Sequence, residues 1–228
     1  MRLSDSSEHT LRRLHSLTGV IPVGVFLLEH FFTNSEAVQG QKAFDDAAGW
    51  LARLPYVTFI EALGIWLPIL FHMTLGVLIA TTWQTNTGRH GYPRNWHYLL
   101  QRVSGLFLVA FIVYHTWSTR FSAEAMSAPS LFQVMRAHLS NPGIFVFYVL
   151  GVVSASYHLG NGLFGFAIHW GLATGRRAQQ RVGAFGLVLA LVLSLVGINS
   201  MLGFLGRGIN PFPKTHPAEI TVAVPGGR

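Results

Sequence analysis

The sequence has 228 residues, half of them hydrophobic and only 11% charged, with a mean hydropathy of +0.41. A soluble globular domain carries about 25% charged residues, so this composition excludes an ordinary soluble domain and points to an integral membrane protein. The absence of cysteine excludes a disulfide, a thiolate-held iron–sulfur cluster and a covalent c-type haem on this chain, and the net charge of +7 lies in short stretches between apolar runs, where membrane topology, anionic lipid or an acidic partner explains it and a nucleic-acid partner is not needed.

A membrane span needs about 20 mostly apolar residues to cross roughly 30 Å of hydrocarbon, and five segments qualify: 14–33, 57–82, 99–120, 143–170 and 182–205. The first contains "GVFLLEHFF" at 24–32, where Glu29 and His30 sit together in an apolar run. It shows no small-residue cleavage pattern and more spans follow, so it is expected to remain as a span and not to be removed as a signal peptide. The second carries Glu61 near its start, then Pro68 and His72. Pro68 lacks a backbone donor one turn before His72 and is expected to bend the helix. The third span holds His115, the fourth His158, and the fifth has neither a histidine nor a charge. The stretches "TNSEAVQGQKAFDD", "QTNTGRHGYPRN", "SAEAMSAPS" and "ATGRRAQQR" carry loop chemistry, and the Gly- and Pro-rich residues 206–228 are expected to form an irregular tail. The expected fold is all-α, an integral membrane bundle of five helices over residues 1–205.

Orientation follows from Lys and Arg close to the span ends. The N-terminal side carries nine arginines, among them Arg2, Arg12, Arg13, Arg89 and Arg102, against only Asp5 and Glu8; the other side has seven basic residues and five acids. These clusters predict a cytoplasmic N-terminus and a C-terminus outside.

Ionisable side chains within spans are expensive and mark function. His30 lies four residues before Asn34, and His115 five before Arg120; at 1.5 Å per residue both stand about 6–8 Å from the outer boundary. His72 follows Arg53 by 19 residues, and His158 follows Pro142 by 16, which puts both roughly 24–28 Å deep. A haem iron takes one axial imidazole from each of two facing helices. Two pairs at two depths therefore predict two bis-histidine b-type haems inside a four-helix core. A hydrogen bond between helices would account for a single such histidine equally well, but less well for four, one per helix.

Gly76 and Gly162 follow His72 and His158 by four residues, one turn on along the same face. They leave room either for a macrocycle edge or for close helix packing. Glu61 precedes His72 by 11 residues, close to three turns, so it is expected to face the bundle interior about 16 Å nearer the outside, level with His30 and His115. It is a candidate for exchanging protons with a quinone; an interfacial acid favoured by the helix dipole is the other reading. Glu29 is a second candidate, pointing elsewhere than its neighbour His30. Arg12, Arg13, His15, Arg102 and Ser104 fall at headgroup level and could meet carboxylates such as haem propionates, or simply mark the interface.

The segments "RRLHSLTGVIPVGVFLLEH", "LPILFHMTLGV", "RNWHYLLQRVSGLFLVAFIVYHTW" and "FYVLGVVSASYHLGNGLFGFAIHWG" resemble the single-chain, di-haem cytochrome b subunit of bacterial succinate:quinone oxidoreductases. This is the five-helix membrane anchor of succinate dehydrogenase and fumarate reductase complexes. The similarity covers about residues 10–205, and all four span histidines fall in matching motifs. The resemblance implies that His72 and His158 ligate the haem nearer the cytoplasm, and His30 and His115 the outer one. It implies an FAD-bearing flavoprotein subunit and an iron–sulfur subunit on the cytoplasmic face of the bacterial inner membrane, with succinate chemistry on those partners. Menaquinone would react near the outer haem, where Glu61 falls. Some fumarate-reducing relatives carry an acid two residues before the fourth-span histidine; here that position is Ser156, so that proton route is not expected. The nearest rival is the di-haem b subunit of a hydrogenase or formate dehydrogenase. A more distant one is a transporter with a histidine-lined path, which would be colourless and built on inverted repeats with broken helices. Pro22 and Pro68 are the hints of such breaks.

Overall fold

The computed structural model describes residues 5–81, 88 and 91–212. Arg2 and Arg89, which enter the charge asymmetry, and residues 213–228 of the expected tail lie outside the described residues. Among the described residues every regular element is a helix, and five helical runs are long and apolar enough to cross a membrane: Ser7–Gln39, Val57–Thr81, Pro93–Ser127, Pro142–His169 and Arg176–Phe204.

The first run is α1 (Asp5–Val20) and α2 (Pro22–Ser35), extended by a 3-10 turn, Glu36–Gln39. Pro22 has no N–H to give, yet Ile21 still donates to the Leu17 carbonyl at 2.9 Å and Val25 to that of Ile21 at 3.3 Å. The chain therefore bends at this point without breaking. After α3 (Gln41–Ala52), the second run consists of α4 (Val57–Glu61), a π-helical turn (Ala62–Trp66) and α5 (Leu67–Thr81). At the end of the turn Leu67 donates five residues back, to the Ala62 carbonyl. Pro68 follows at once; its ring would clash with the carbonyl four residues back in a regular helix, and the wider turn relieves that clash. The expected bend in this span is thus a register change. The third run, α6 (Pro93–Thr116), also ends in a π-helical turn, Trp117–Phe121.

The remaining elements are α7 (Ala123–Ser127), α8 (Leu131–Leu139), α9 (Pro142–His169) and α10 (Arg176–Phe204). The helix of the first run packs on α5 and α9, and α6 packs on α5 and α9, which closes a ring of four spans. Helix α10 lies outside the ring, against α9 and α2. It approaches α9 closely because Gly160 and Gly186 bring backbone to backbone, and a Cβ on either would strike the other's carbonyl. Its other face, with Phe185, Val188, Leu191 and Leu195 exposed, suits acyl chains.

Helices α3 and α8 pack together at one end of the bundle, and α3 begins inside "TNSEAVQGQKAFDD", a stretch with loop chemistry. Phe44 is buried on α3 while Lys42 and Asp46 pair at 2.6 Å on its open face, and Phe132, Met135 and Leu139 of α8 face inward. Both patterns repeat every three to four residues, so burying one face against the bundle offsets the polarity of the other. Ser130 caps α8 by accepting from the Phe132 N–H at 3.1 Å, and donates to Asp45 at 2.7 Å, tying α8 to α3. Phe44, Phe132 and Phe204 meet tilted and edge-on in one aromatic cluster at this end. The chain past α10 turns at Gly206, whose φ of +70° suits glycine, and folds back so that Asn210 and Gln39 exchange hydrogen bonds at 3.0 and 2.9 Å.

Candidate functional site

The ring of four spans brings the histidines together in two layers. In the outer layer the His30 and His115 ring centroids are 5.7 Å apart, edge to face, across the first and third spans. In the inner layer His72 and His158 stand 6.1 Å apart, again edge to face, across the second and fourth. Two imidazoles bonded to one metal from opposite sides, at about 2 Å per bond, have centroids roughly 6 Å apart, so both pairs lie at ligating distance.

Three of the four rings have Nδ1 engaged. His72 Nδ1 is 3.0 Å from the His15 carbonyl oxygen. His158 Nδ1 is 3.1 Å from the Gln101 carbonyl oxygen and 3.2 Å from Ser104 Oγ. His115 Nδ1 is 3.3 Å from the Tyr148 hydroxyl. A carbonyl can only accept, so in His72 and His158 the proton resides on Nδ1 and the Nε2 lone pair is left for a Lewis acid. Ligating histidines in metalloproteins are oriented by this kind of outer contact.

His15 lies beside the inner pair. Its ring stacks on His72 with centroids 4.0 Å apart and planes 9° from parallel, and its own Nδ1 is buried with no partner among the described residues. Ser104 is likewise buried, at His158, and is no surface contact. The arginines divide. Arg12 pairs with Glu8 at 2.7 Å on the exposed surface. Arg13 lies over the Trp170 ring at 4.2 Å and Arg102 over Tyr98 at 3.4 Å; each has a buried Nε with no partner among the described residues. Two unsatisfied guanidinium donors at the inner end are the complement of an anionic group such as a propionate.

The inner rings pack directly on glycine. A Cβ on Gly19 of the first span would run into His72 Cε1 and lie 2.8 Å from Nδ1; one on Gly105 of the third span would lie 2.9 Å from His158 Cε1. These glycines, not Gly76 and Gly162, face the inner ligand candidates. Gly76 faces His15 at 3.1 Å and Gly162 faces Gln101 at 3.6 Å. A sequence signal for them exists: Gly19 precedes His30 by 11 residues, and Gly105 precedes His115 by ten. Gly19 is thereby about three turns inward on the face that carries His30, while Gly105 is about 80° short of three turns, at the edge of the face that carries His115. In the inner layer, imidazole donors, closely packed glycines and unpaired guanidinium nitrogens fit a haem; in the outer layer the fit rests on the spacing of His30 and His115.

The carboxylates occupy other positions. Glu29 accepts from Thr33, one turn on in its own helix, which satisfies it locally and turns it away from His30. Glu61 makes a two-pronged pair with Arg120, Nη2 to Oε2 at 2.8 Å and Nη1 to Oε1 at 3.2 Å. The expectation that Glu61 shares a face with His72 presumes a regular helix. The π turn between them inserts the equivalent of one residue, about 100° of rotation, and directs Glu61 toward Arg120, five residues past His115. Ser156 is fully buried and donates to the Val152 carbonyl at 2.8 Å.

Residues 80–197 match the family described as succinate dehydrogenase/fumarate reductase transmembrane subunit. The chain is also 40% identical, over 203 residues, to the succinate dehydrogenase cytochrome b558 subunit of Bacillus subtilis (strain 168), an alignment covering 89% of this chain and 100% of that one. No solved structure matches the chain significantly.

Proposed function

The chain belongs to the succinate dehydrogenase/fumarate reductase transmembrane subunit family, and on that premise we propose that it is the di-haem cytochrome b anchor of such a complex. It carries electrons between a flavoprotein and an iron–sulfur subunit, docked on the cytoplasmic face, and a membrane quinone, menaquinone. The observation that carries this reading is the pairing of His30 with His115 and of His72 with His158, one histidine per span, in two layers. When bound, b-type haem supplies one-electron redox chemistry that the side chains of this protein lack. The chain's own task is to hold and tune two such groups in line. The four histidines would hold the two haems through their ring nitrogens, His72 and His158 the one nearer the cytoplasm and His30 and His115 the other. Arg13 and Arg102 hold propionates at the inner end, with Arg12 and His15 beside them, and Ser104 and the carbonyls of His15 and Gln101 fix the imidazole orientations. Glu61, gripped by Arg120 at the outer end, takes the protons that a quinol releases there or returns them in the reverse direction; Glu29, already bound to Thr33, is a lesser candidate. The arginine clusters set the N-terminus in the cytoplasm and the C-terminus outside.

The test is a haem count per chain on the purified complex, followed by a potentiometric titration of its visible spectrum. Two b-type haems at distinct potentials are expected. His30→Ala or His115→Ala should remove the outer one alone, and His72→Ala or His158→Ala the inner one. A single haem would mean that one histidine pair only packs, and a colourless complex would overturn the reading.

A further inference from the structure

We infer that Tyr148 is a positioning residue for the outer ligand His115 and sets the redox potential of that layer; this rests on the di-haem reading. Tyr148 lies on α9, the helix that supplies His158 to the other layer, and is 3% exposed. Its hydroxyl stands 3.3 Å from His115 Nδ1 and 3.4 Å from Ser118 Oγ, and Ser118 Oγ donates to the His115 carbonyl at 3.1 Å. With Nε2 of His115 facing His30 as a ligand, Nδ1 carries the proton and the order of donors is determined. Nδ1–H donates to the Tyr148 oxygen, the Tyr148 hydroxyl donates to Ser118, and Ser118 donates to the backbone carbonyl of His115 itself. The loop closes, and every polar hydrogen in it has an acceptor. The ring of Tyr148 meets His115 edge-on at 5.7 Å, and Phe111 lies nearly parallel to His115, 14° apart at 5.7 Å. The imidazole is therefore held by a hydrogen bond and by two aromatic walls.

The two layers differ in this respect. In the inner layer the Nδ1 acceptors include main-chain carbonyls, those of His15 and Gln101, which no side-chain substitution removes. In the outer layer the acceptor is a phenol, and one oxygen atom can be deleted without changing the ring. An acceptor on Nδ1 makes the imidazole a stronger donor through Nε2 and so favours the ferric state. Loss of that acceptor should make the outer haem easier to reduce.

The experiment is Tyr148→Phe in the assembled complex, with haem count, potentiometric titration and low-temperature electron paramagnetic resonance of both haems. Two haems should remain, with the outer potential raised by a shift equivalent to about tenfold in the reduction equilibrium, close to 59 mV for one electron, and the inner potential unchanged. Ser118→Ala, which removes the acceptor of the phenol, should move the outer potential in the same direction by less. Unchanged outer potential and resonance in Tyr148→Phe would overturn the inference, as would an equal shift of both haems. Failure of the di-haem reading itself would show separately, as a parent complex whose haem count does not respond to His115→Ala.

Discussion

Gly19→Ala should weaken the inner haem site and leave the outer one intact. The added methyl would collide with His72 Cε1 and lie 2.8 Å from Nδ1 and 3.3 Å from Nε2. Carbon atoms in good contact sit about 3.5–4.0 Å apart, so the ring must give way by roughly 1–1.5 Å. His72 has little freedom to retreat, because Nδ1–H is tied to the His15 carbonyl at 3.0 Å and the His15 ring covers one face. Overpacking of this kind costs about 1–3 kcal/mol, which corresponds to roughly 5- to 150-fold in affinity. Gly105→Ala, whose nearest contact would be 2.9 Å from His158 Cε1 with Nδ1 at 3.4 Å, should act in the same direction and less strongly. Gly64→Ala and Gly165→Ala serve as controls, since neither Cβ would meet anything within 4 Å; each should be neutral, or gain up to about 1 kcal/mol in helix propensity. The assay is haem per chain in the purified complex, with a redox titration to identify which haem is lost. Retention of both haems at their parental potentials in Gly19→Ala, or loss of the outer haem instead, would refute the assignment of this glycine to the inner layer.

Other outcomes follow from the same geometry. Glu61→Gln should slow quinone-linked turnover while both haems stay in place, and Arg120→Gln should do the same, because each disrupts one end of the same pair; steady-state assays beside a haem count would check this. Arg102→Gln removes a cation from the inner end and should lower the inner-haem potential by about 30–60 mV, up to tenfold in the one-electron equilibrium, as read by titration. Gly160→Leu forces α9 and α10 apart where their backbones touch and should destabilise the subunit by about 3 kcal/mol or more, seen as a lower melting temperature in detergent. Ser130→Ala removes the cap of α8 and its bond to Asp45; a loss of about 1 kcal/mol should appear in thermal stability with no change in either potential.

Much of this arrangement can be read along the chain, because the properties involved are local. Hydrophobic length adds up residue by residue, so five spans emerge from composition, and their low charge is needed wherever the helices pack. Depth is also a matter of counting. His30 and His115 are each a few residues from an outer polar boundary, and one helical rise per residue converts that into a common level. The pairing of histidines across helices was therefore foreseeable. The amphipathic helices α3 and α8 could also have been found, since Phe44 with Ala48, and Phe132 with Met135 and Leu139, repeat at helical spacing, the first pair beginning in a stretch whose polar residues suggest a loop.

Contacts across helices depended on rotation, which composition does not carry. A single π turn between Glu61 and His72 moves the carboxylate around the helix by about 100° and gives it Arg120 as a partner. The docking of α1 on α5 decided that His15 would stack on His72 and offer it a carbonyl, where its sequence position suggested an interfacial imidazole. The same docking chose Gly19 to face His72, and the docking of α6 on α9 chose Gly105 to face His158, in place of the glycines one turn from the ligands. Which helices cross the membrane, and which histidines lie at which depth, were settled by the sequence, since burial in lipid acts on each residue separately. Which atoms meet was settled by the tertiary structure, since a hydrogen bond requires two helices to agree in rotation and height within a fraction of an ångström.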